Sequence, residues 1–247
     1  AIAKHVFLVT DAEKLEATVR SAFELARTGR PGPVVVDIPK DIQNWDGPYK
    51  GTGTLPLHGY RRRLAKVEAN NLGDDACERF YTLLSESERP LIYAGGGVIN
   101  ANATKAMRRF ANEYGIPVTT TLMALGASDT THPLALHMLG MHGVASANYA
   151  VEDCDFLIAT GARFDDRVAG NPGQFAPRAK NIAHFDVDFA EIGKVKRANW
   201  HHVGMLERDL TYLLAYGRRI GFAKIFDDWH EVIDALKSEH AMNYDRV

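Results

Sequence analysis

Loops rich in glycine, arginine and aspartate follow three apolar segments of the sequence. Pro90–Ala94 runs into Gly95-Gly96-Gly97, Asp155–Thr160 runs into a loop with two arginines and two aspartates, and a third segment ends in Asp186-Val187-Asp188. Glycine lets backbone amides approach phosphate oxygens, and arginine binds phosphate through a forked pair of donors. A carboxylate at a strand end can bind a ribose hydroxyl. Together these loops predict a site for an extended adenine dinucleotide or a similar ligand.

Each of these loops also has a purely structural interpretation. The G-x-G-x-x-G pattern is incomplete because Asn100 stands where its last glycine belongs, and a glycine triplet after a strand is also typical of a tight turn. Asp165-Asp166 could be metal ligands or acid/base carboxylates. Ion pairs with Arg163 and Arg167, which would only shape the loop, are the favoured interpretation.

The segment Leu136–Gly143 carries a second candidate binding loop. Two glycines flank Met141-His142, and methionine and histidine could line a flat ring system such as a flavin. A buried loop with a hydrogen-bonded histidine is the alternative. Zinc is disfavoured because His137 and His142 lack H-E-x-x-H spacing and a cysteine pair. The sequence contains no G-x-S-x-G motif, which would indicate a nucleophilic serine. Cys154 is interpreted as a plain buried thiol.

The elements that must position these loops alternate between strand and helix from Asp74 onward. Apolar β-prone segments at 90–94, 117–121, 155–160 and 181–188 are separated or followed by helical patterns, with helices predicted near 103–114, 146–151, 205–216 and 225–238. This alternation predicts an α/β fold with an open parallel sheet and helices on both faces.

Residues 1–40 predict a strand, a helix and a second strand. The helix between His5–Val9 and Val34–Ile38 begins at a capping box, Thr10-x-x-Glu13, and ends near a left-handed Gly29. The run of valines predicts a strand buried on both faces. Forty residues are too few for an independent core, and the sequence opens at Ala1, so we expect the beginning of this domain to be missing. Residues 41–70 are interpreted as a linker.

Composition excludes several classes of protein. The 247 residues carry a formal net charge of -2, which argues against a nucleic-acid binder. No apolar run approaches the ~20 residues of a membrane helix, and the N-terminus does not resemble a signal peptide. With two cysteines in the chain, a reducing compartment and a cytoplasmic location are expected.

Several of these segments occur in one order that strongly resembles the large, catalytic subunit of acetolactate synthase, a family of thiamine-diphosphate enzymes. The likeness runs from about residue 4 to about 200, and MLGMHG and GARFDDRV are its most specific parts. The segments are 28–34 (TGRPGPV), 37–41 (DIPKD), 95–97 (GGG), 121–126 (TLMALG), 138–143 (MLGMHG) and 161–167 (GARFDDR).

The resemblance implies a domain organisation and an activity. Residues 1–40 would be the C-terminal remnant of the pyrimidine-binding domain, 71–217 the Rossmann-like central domain, and 218–247 a C-terminal helix or linker to a missing diphosphate-binding domain. The full-length enzyme would condense pyruvate with pyruvate or 2-ketobutyrate to give acetolactate or acetohydroxybutyrate, in branched-chain amino acid biosynthesis. We expect this chain alone to be inactive, with no catalytic residue and no metal ligand in it.

The resemblance also implies cofactors and partners. The central domain would hold FAD, which has no net redox role, whereas thiamine diphosphate and Mg²⁺ would bind largely outside this chain. Lys40 and Arg167 would lie near the substrate channel, and the full-length enzyme would be a homo-oligomer with a possible regulatory subunit. Met205 departs from the family's usual aspartate, near the adenine end of FAD. The residues implied to contact FAD are Arg30, Gly95, Gly96, Gly97, Thr121, Leu122, Met123, Met141, His142, Gly143, Gly161, Ala162, Arg163, Asp165, Arg167, Asp186 and Val187.

Two other functions stay open. A related thiamine-diphosphate carboligase, such as glyoxylate carboligase, would share the general pattern, although the RFDDRV wording favours acetolactate synthase. A free-standing, non-catalytic nucleotide-binding or subunit-interaction module is the alternative from a different class.

Overall fold

The structure, a computed structural model, describes residues 2–48, 55 and 57–241. These residues form two compact units that divide between Ala69 and Asn70, here called unit 1 and unit 2. No helix among the described residues is both long enough and apolar enough to cross a membrane.

Unit 1 contains the predicted strand, helix and strand. Its two strands are parallel, with His5 opposite Val34 and Leu8 opposite Asp37. The chain then forms two further helices. The elements are β1 (His5–Leu8), α1 (Leu15–Arg27), β2 (Val34–Asp37), α2 (Lys40–Gln43) and α3 (His58–Ala69).

Two local predictions in unit 1 were wrong in detail. The first turn, a short 3₁₀ helix preceding α1, is capped by Asp11 and not by Thr10, because the Asp11 carboxylate accepts the amide of Glu13 at 3.0 Å. Strand β2 is not buried on both faces, since Val35 is exposed and Val34 and Val36 are half-buried. In this two-stranded sheet, alternate side chains of β2 face solvent. Gly29 has the predicted left-handed conformation, with φ +58°.

Helix α3 lies within the segment that the sequence predicts to be a linker. It packs on α1: the Arg61 guanidinium donates two hydrogen bonds of 2.7 Å to Glu24, and the hydroxyls of Tyr60 and Thr28 lie 2.6 Å apart. Residues 58–69 therefore belong to unit 1.

Unit 2 is built on a six-stranded, all-parallel sheet. The strand order is β5-β4-β3-β6-β7-β8, so the chain first adds strands on one side of β3 and then continues on the other side from β6. This is the order of a doubly wound sheet with its switch point between β3 and β6. The strands are β3 (Pro90–Ala94), β4 (Val118–Thr120), β5 (Ala135–Met138), β6 (Phe156–Thr160), β7 (Asn181–Asp186) and β8 (Trp200–Val203).

The helices cover both faces of this sheet. Helix α9 packs on α4 and α6, and α10 packs on α7. The helices are α4 (Asp74–Glu86), α5 (Gly97–Asn100), α6 (Thr104–Tyr114), α7 (Ala145–Asp153), α8 (Asp166–Ala169), α9 (Leu206–Arg219) and α10 (Asp227–Glu239). The predicted fold class is confirmed.

Helix α10 closes the amino end of the sheet. The indole N–H of Trp229 donates to the carbonyl of Pro90 in β3 at 2.9 Å. Side chains of His230 and Lys237 bond the carbonyls of Gly115 and Pro133, which precede β4 and β5. The predicted boundary at residue 217 therefore falls inside unit 2.

The core of unit 2 is aromatic on one face of the sheet. The ring of Phe80 contacts Phe110, Phe156, Phe185 and Trp200, with centroids 5.4–6.1 Å apart. Cys154 is fully buried, which confirms its interpretation as a plain buried thiol, and this burial raises the pKa of the thiol.

Candidate ligand site at the carboxyl edge of the sheet

Four loops meet beyond the carboxyl ends of β3, β4, β5 and β6. Met123 lies against Gly96, with an added Gly96 Cβ only 2.9 Å from that of Met123. The Gly97 amide donates to the Gly161 carbonyl at 3.0 Å, and the Met141 amide donates to the Arg167 carbonyl at 3.2 Å. The loops that carry the predicted site are therefore contiguous.

The glycine triplet serves mainly to bring two loops together. A Cβ on Gly95 would lie 2.2 Å from the carbonyl oxygen of Gly161, and one on Gly97 would lie 2.6 Å from Gly161 Cα. The amides of Gly95 and Gly97 donate to Thr160 and Gly161 carbonyls. Two of the three amides are thus already used inside the protein. The turn interpretation explains Gly95 and Gly97. Of the three amides, only that of Gly96 has no hydrogen-bond partner among the described residues.

The loop after β5 is bent onto the loop after β6. Gly140, with φ +97°, lies where a Cβ would be 2.9 Å from the Arg167 carbonyl oxygen. Its amide donates to Asn148 Oδ1 at 2.8 Å. A Cβ on Gly143 would lie 2.4 Å from the Met138 carbonyl oxygen. The two flanking glycines therefore serve close backbone approach, and they leave Met141 and His142 exposed.

Of the ion pairs predicted for the loop after β6, the one between Arg163 and Asp165 is present. The Arg163 guanidinium lies 2.7 Å from the Asp165 carboxylate. The Asp165 carboxylate also accepts a hydrogen bond from the backbone amide of Arg167 at 3.3 Å. The side chain of Arg167 faces solvent. The Asp166 carboxyl, the Arg167 amide and the Arg163 charge hold the pKa of Asp165 below its usual range. Asp165 is therefore ionised at neutral pH.

Apolar and polar groups lie side by side at this edge. Leu122, Met123 and Met141 expose most of their side chains, with Met123 74% exposed. Beside them, the hydroxyl of Thr121 is buried and has no hydrogen-bond partner among the described residues. Sites for small molecules combine apolar side chains with a few polar groups, and this edge presents both.

Asp186 and His184 are two neighbouring polar residues at the end of β7, and both side chains are largely buried. Burial raises the pKa of Asp186 to about 6, although its carboxylate accepts the amide of Asp188 at 2.8 Å. His184 Nε2 lies 2.8 Å from the Ala162 carbonyl and 3.8 Å from Asp186. Burial lowers the pKa of His184, so this imidazole is neutral and its Nε2–H donates to Ala162.

The structure brings most of the predicted residues to one edge. Those that lie at or just beyond the carboxyl ends of β3 to β7 are Gly95 to Gly97, Thr121 to Met123, Met141 to Gly143, Gly161 to Arg163, Asp165, Arg167, Asp186 and Val187. Arg30 and Lys40 lie in unit 1, where Arg30 is half-buried and Lys40 begins α2.

Three residues of this region do not appear among the predicted site residues: Phe164, Tyr93 and His184. All three side chains are buried, and the rings of Tyr93 and His184 lie against that of Phe164, which belongs to the loop after β6. Little in the sequence could have identified them. Tyr93 and His184 occupy ordinary positions in predicted strands, and Phe164 differs from its neighbours only in being apolar among charged residues.

Met205 stands at the start of α9, where it makes no side-chain capping bond. An aspartate is a favoured residue at such a position because its carboxylate accepts an amide of the first turn. Met205 instead lines a shallow cleft together with Lys105, Glu207 and Arg208. Within the described ranges, no group of three or more His, Cys, Asp or Glu side chains is arranged to hold a metal ion.

The strand order defines a doubly wound α/β domain, a fold in which ligands bind beyond the carboxyl ends of the strands at the switch point. Residues 77–213 match the family described as thiamine pyrophosphate enzyme, central domain. The chain belongs to this family.

Its relatives include acetolactate synthases and acetolactate synthase large subunits. Acetolactate synthase 2, chloroplastic, of Nicotiana tabacum is 49% identical over 99% of the chain. The acetolactate synthase large subunit of Corynebacterium glutamicum is 42% identical over 99% of it, and a probable large subunit of Methanocaldococcus jannaschii is 47% identical over 87%. The aligned region covers 36%, 38% and 36% of these three relatives, so the chain spans little more than a third of their length.

Proposed function

We propose that this chain is the central portion of an acetolactate synthase large subunit. The full-length enzyme would join pyruvate to a second 2-keto acid, giving acetolactate or acetohydroxybutyrate for branched-chain amino acid synthesis. The observation that carries the proposal is the 42–49% identity to acetolactate synthases over 99% of the chain. Thiamine diphosphate, when bound, would supply the carbanion chemistry, and it and Mg²⁺ would bind largely through parts of the enzyme outside this chain.

The contribution of this chain would be to hold FAD at the carboxyl edge of unit 2. Support comes from the contiguous loops and the exposed apolar side chains of Leu122, Met123 and Met141. The buried hydroxyl of Thr121, which has no hydrogen-bond partner among the described residues, is a further support. Arg163 and Arg167 would place positive charge beside the diphosphate of FAD, and the Gly96 amide would be a further donor. Asp186 would accept a hydrogen bond from the ligand.

Arg163 and Arg167 would have different roles in binding. Arg163 is held by Asp165, so its guanidinium is oriented before a ligand arrives. The Arg167 side chain projects from α8 into solvent. It would therefore be available to a substrate carboxylate in the complete enzyme, as would Lys40 at the start of α2. These roles would be binding and orientation and not bond making.

FAD binding by the 247-residue chain is the direct test of the ligand. A thermal-shift titration with FAD, using NAD and AMP as controls, should give a saturable increase in melting temperature for FAD alone. A ligand that binds only the folded state at 100 times its Kd stabilises it by about 2.7 kcal/mol. Arg163→Ala should weaken the response, whereas Arg109→Ala, which removes an exposed arginine on α6, should not. Equal responses to FAD and AMP would contradict an FAD site.

The activity is tested by a chimera. Residues 1–247 replace the aligned segment of the Corynebacterium glutamicum large subunit, to which they are 42% identical. The chimera should form acetolactate from pyruvate, and the 247-residue chain alone should not. A folded chimera that carboligates glyoxylate but not pyruvate would instead favour a glyoxylate carboligase.

A further inference from the structure

Phe164 has the opposite environment to its neighbours in the loop after β6. Arg163, Asp166 and Arg167 face solvent, whereas Phe164 is 1% exposed. Its backbone has φ +55°, in the left-handed region that a bulky side chain rarely adopts. Such a conformation persists only where the surrounding structure imposes it.

Three rings surround the Phe164 side chain. Ring centroids of His184 and Tyr93 lie 5.2 Å and 5.4 Å from that of Phe164, and the Phe175 ring lies at 6.0 Å. The strand register explains the space that the ring fills. Tyr93 and His184 are both paired with Ala159 of β6, one on each side, and the small side chain of Ala159 leaves room between them.

The backbone on either side of the ring is also fixed. The Ala162 carbonyl accepts a hydrogen bond from His184 Nε2 at 2.8 Å, just before Phe164. After it, the amides of Val168 and Ala169 donate to the Asp165 carbonyl and begin α8. The exposed charged side chains therefore lie on a short segment, residues 163–167, and the buried ring of Phe164 packs this segment against the core.

We propose that Phe164 is a positioning residue for ligand binding. Its buried ring holds the loop 161–167 in the conformation that presents Arg163, Asp165 and Arg167 at the carboxyl edge of the sheet. The inference rests on the proposed function, because the ligand that these side chains would contact is FAD. Because Phe164 is only 1% exposed, its ring would act through these three side chains and not by contact with the ligand.

Four variants separate positioning from simple core packing. Phe164→Ala removes the ring, and Phe164→Leu retains a buried apolar side chain. Phe164→Gly removes the ring but also relieves the left-handed strain. Phe110→Ala is the matched control, since Phe110 is also 1% exposed but packs on Phe80 and Tyr114 in another part of the core.

The first readout needs no ligand. Hydrogen exchange is measured by mass spectrometry on a peptide that covers 161–170, in which the amides of Gly161, Val168, Ala169 and Gly170 are hydrogen-bonded. Loops exchange by local openings that cost less free energy than global unfolding, so destabilising a distant part of the core changes their exchange little as long as local opening remains the easier route. Phe164→Ala and Phe164→Gly should exchange about tenfold faster here, and Phe164→Leu and Phe110→Ala should resemble wild type.

The second readout is FAD affinity. If the binding conformation of the loop falls to about a tenth of the population, the apparent affinity falls about tenfold. We expect this loss for Phe164→Ala and Phe164→Gly, with recovery in Phe164→Leu and little change in Phe110→Ala.

The outcomes separate the inference from the proposed function. Unchanged exchange in Phe164→Ala, wild-type protection in Phe164→Gly, or an equal effect of Phe110→Ala on the loop would overturn the positioning role. A wild-type chain that does not bind FAD would contradict the proposed ligand. The exchange data would then still decide whether Phe164 holds the loop.

Discussion

Replacing Trp229 by alanine tests whether α10 is an integral part of unit 2. Its indole is 1% exposed and donates a 2.9 Å hydrogen bond to the Pro90 carbonyl in β3. Truncation of a buried tryptophan to alanine costs about 3–5 kcal/mol, and the unpaired carbonyl adds about 1–3 kcal/mol where water cannot reach it. Total stabilities of about 5–15 kcal/mol are usual, so the variant should lose a large part of its stability.

The assay is urea unfolding at pH 7.5, followed by far-ultraviolet circular dichroism because the variant removes a fluorophore. We expect Trp229→Ala to lose at least about 3 kcal/mol, and Trp229→Phe, which keeps most of the apolar contact, to lose about 1–2 kcal/mol. The melting temperature of Trp229→Ala should fall by at least roughly 6 °C.

Ile225→Ala is the control, because Ile225 precedes α10 and is 72% exposed. It should change the free energy of unfolding by no more than about 0.5 kcal/mol. If Trp229→Ala were as stable as Ile225→Ala, α10 would be a detachable helix. Residues 218–241 would then not be an integral part of unit 2.

Two further predictions concern the carboxyl edge. The raised pKa of Asp186, about 6 against a usual 3.8, means that the folded protein binds an extra proton between these values, so wild-type stability falls as pH rises through that window. Asp186→Asn has no carboxyl group to titrate, so its free energy of unfolding relative to wild type should increase by up to about 3 kcal/mol between pH 4 and pH 7.5. Urea unfolding at the two pH values measures this change. A stability difference between variant and wild type that does not vary with pH would contradict the raised pKa of Asp186. Gly95→Ala would place a Cβ 2.2 Å from the Gly161 carbonyl oxygen and should cost about 3 kcal/mol or more, whereas Gly73→Ala, whose Cβ meets nothing within 4 Å, should cost less than about 1 kcal/mol in the same assay.

Long elements with a clear period were predictable from sequence. Pro90–Ala94 was predicted residue for residue as a strand, and the helices predicted near 103–114 and 205–216 occur as α6 and α9. Strands β5 and β8 were missed. Each has four residues, β5 lies beside a glycine-rich loop and β8 contains two histidines, so neither shows an apolar run. Their extended conformation comes from pairing with β4 and β7, which is a tertiary interaction.

The fold class and the loops that carry the candidate site could be predicted from the sequence. Strand–helix alternation requires a parallel sheet, and parallel strands bring the loops at their carboxyl ends to one edge. The contacts that each residue in those loops makes depend on the packing of the loops against one another. Gly95 and Gly97 carry no mark in the sequence that distinguishes ligand approach from loop packing, because both need a missing Cβ. The backbone of Gly161 lies against both of them, and that contact depends on the pairing of β3 with β6.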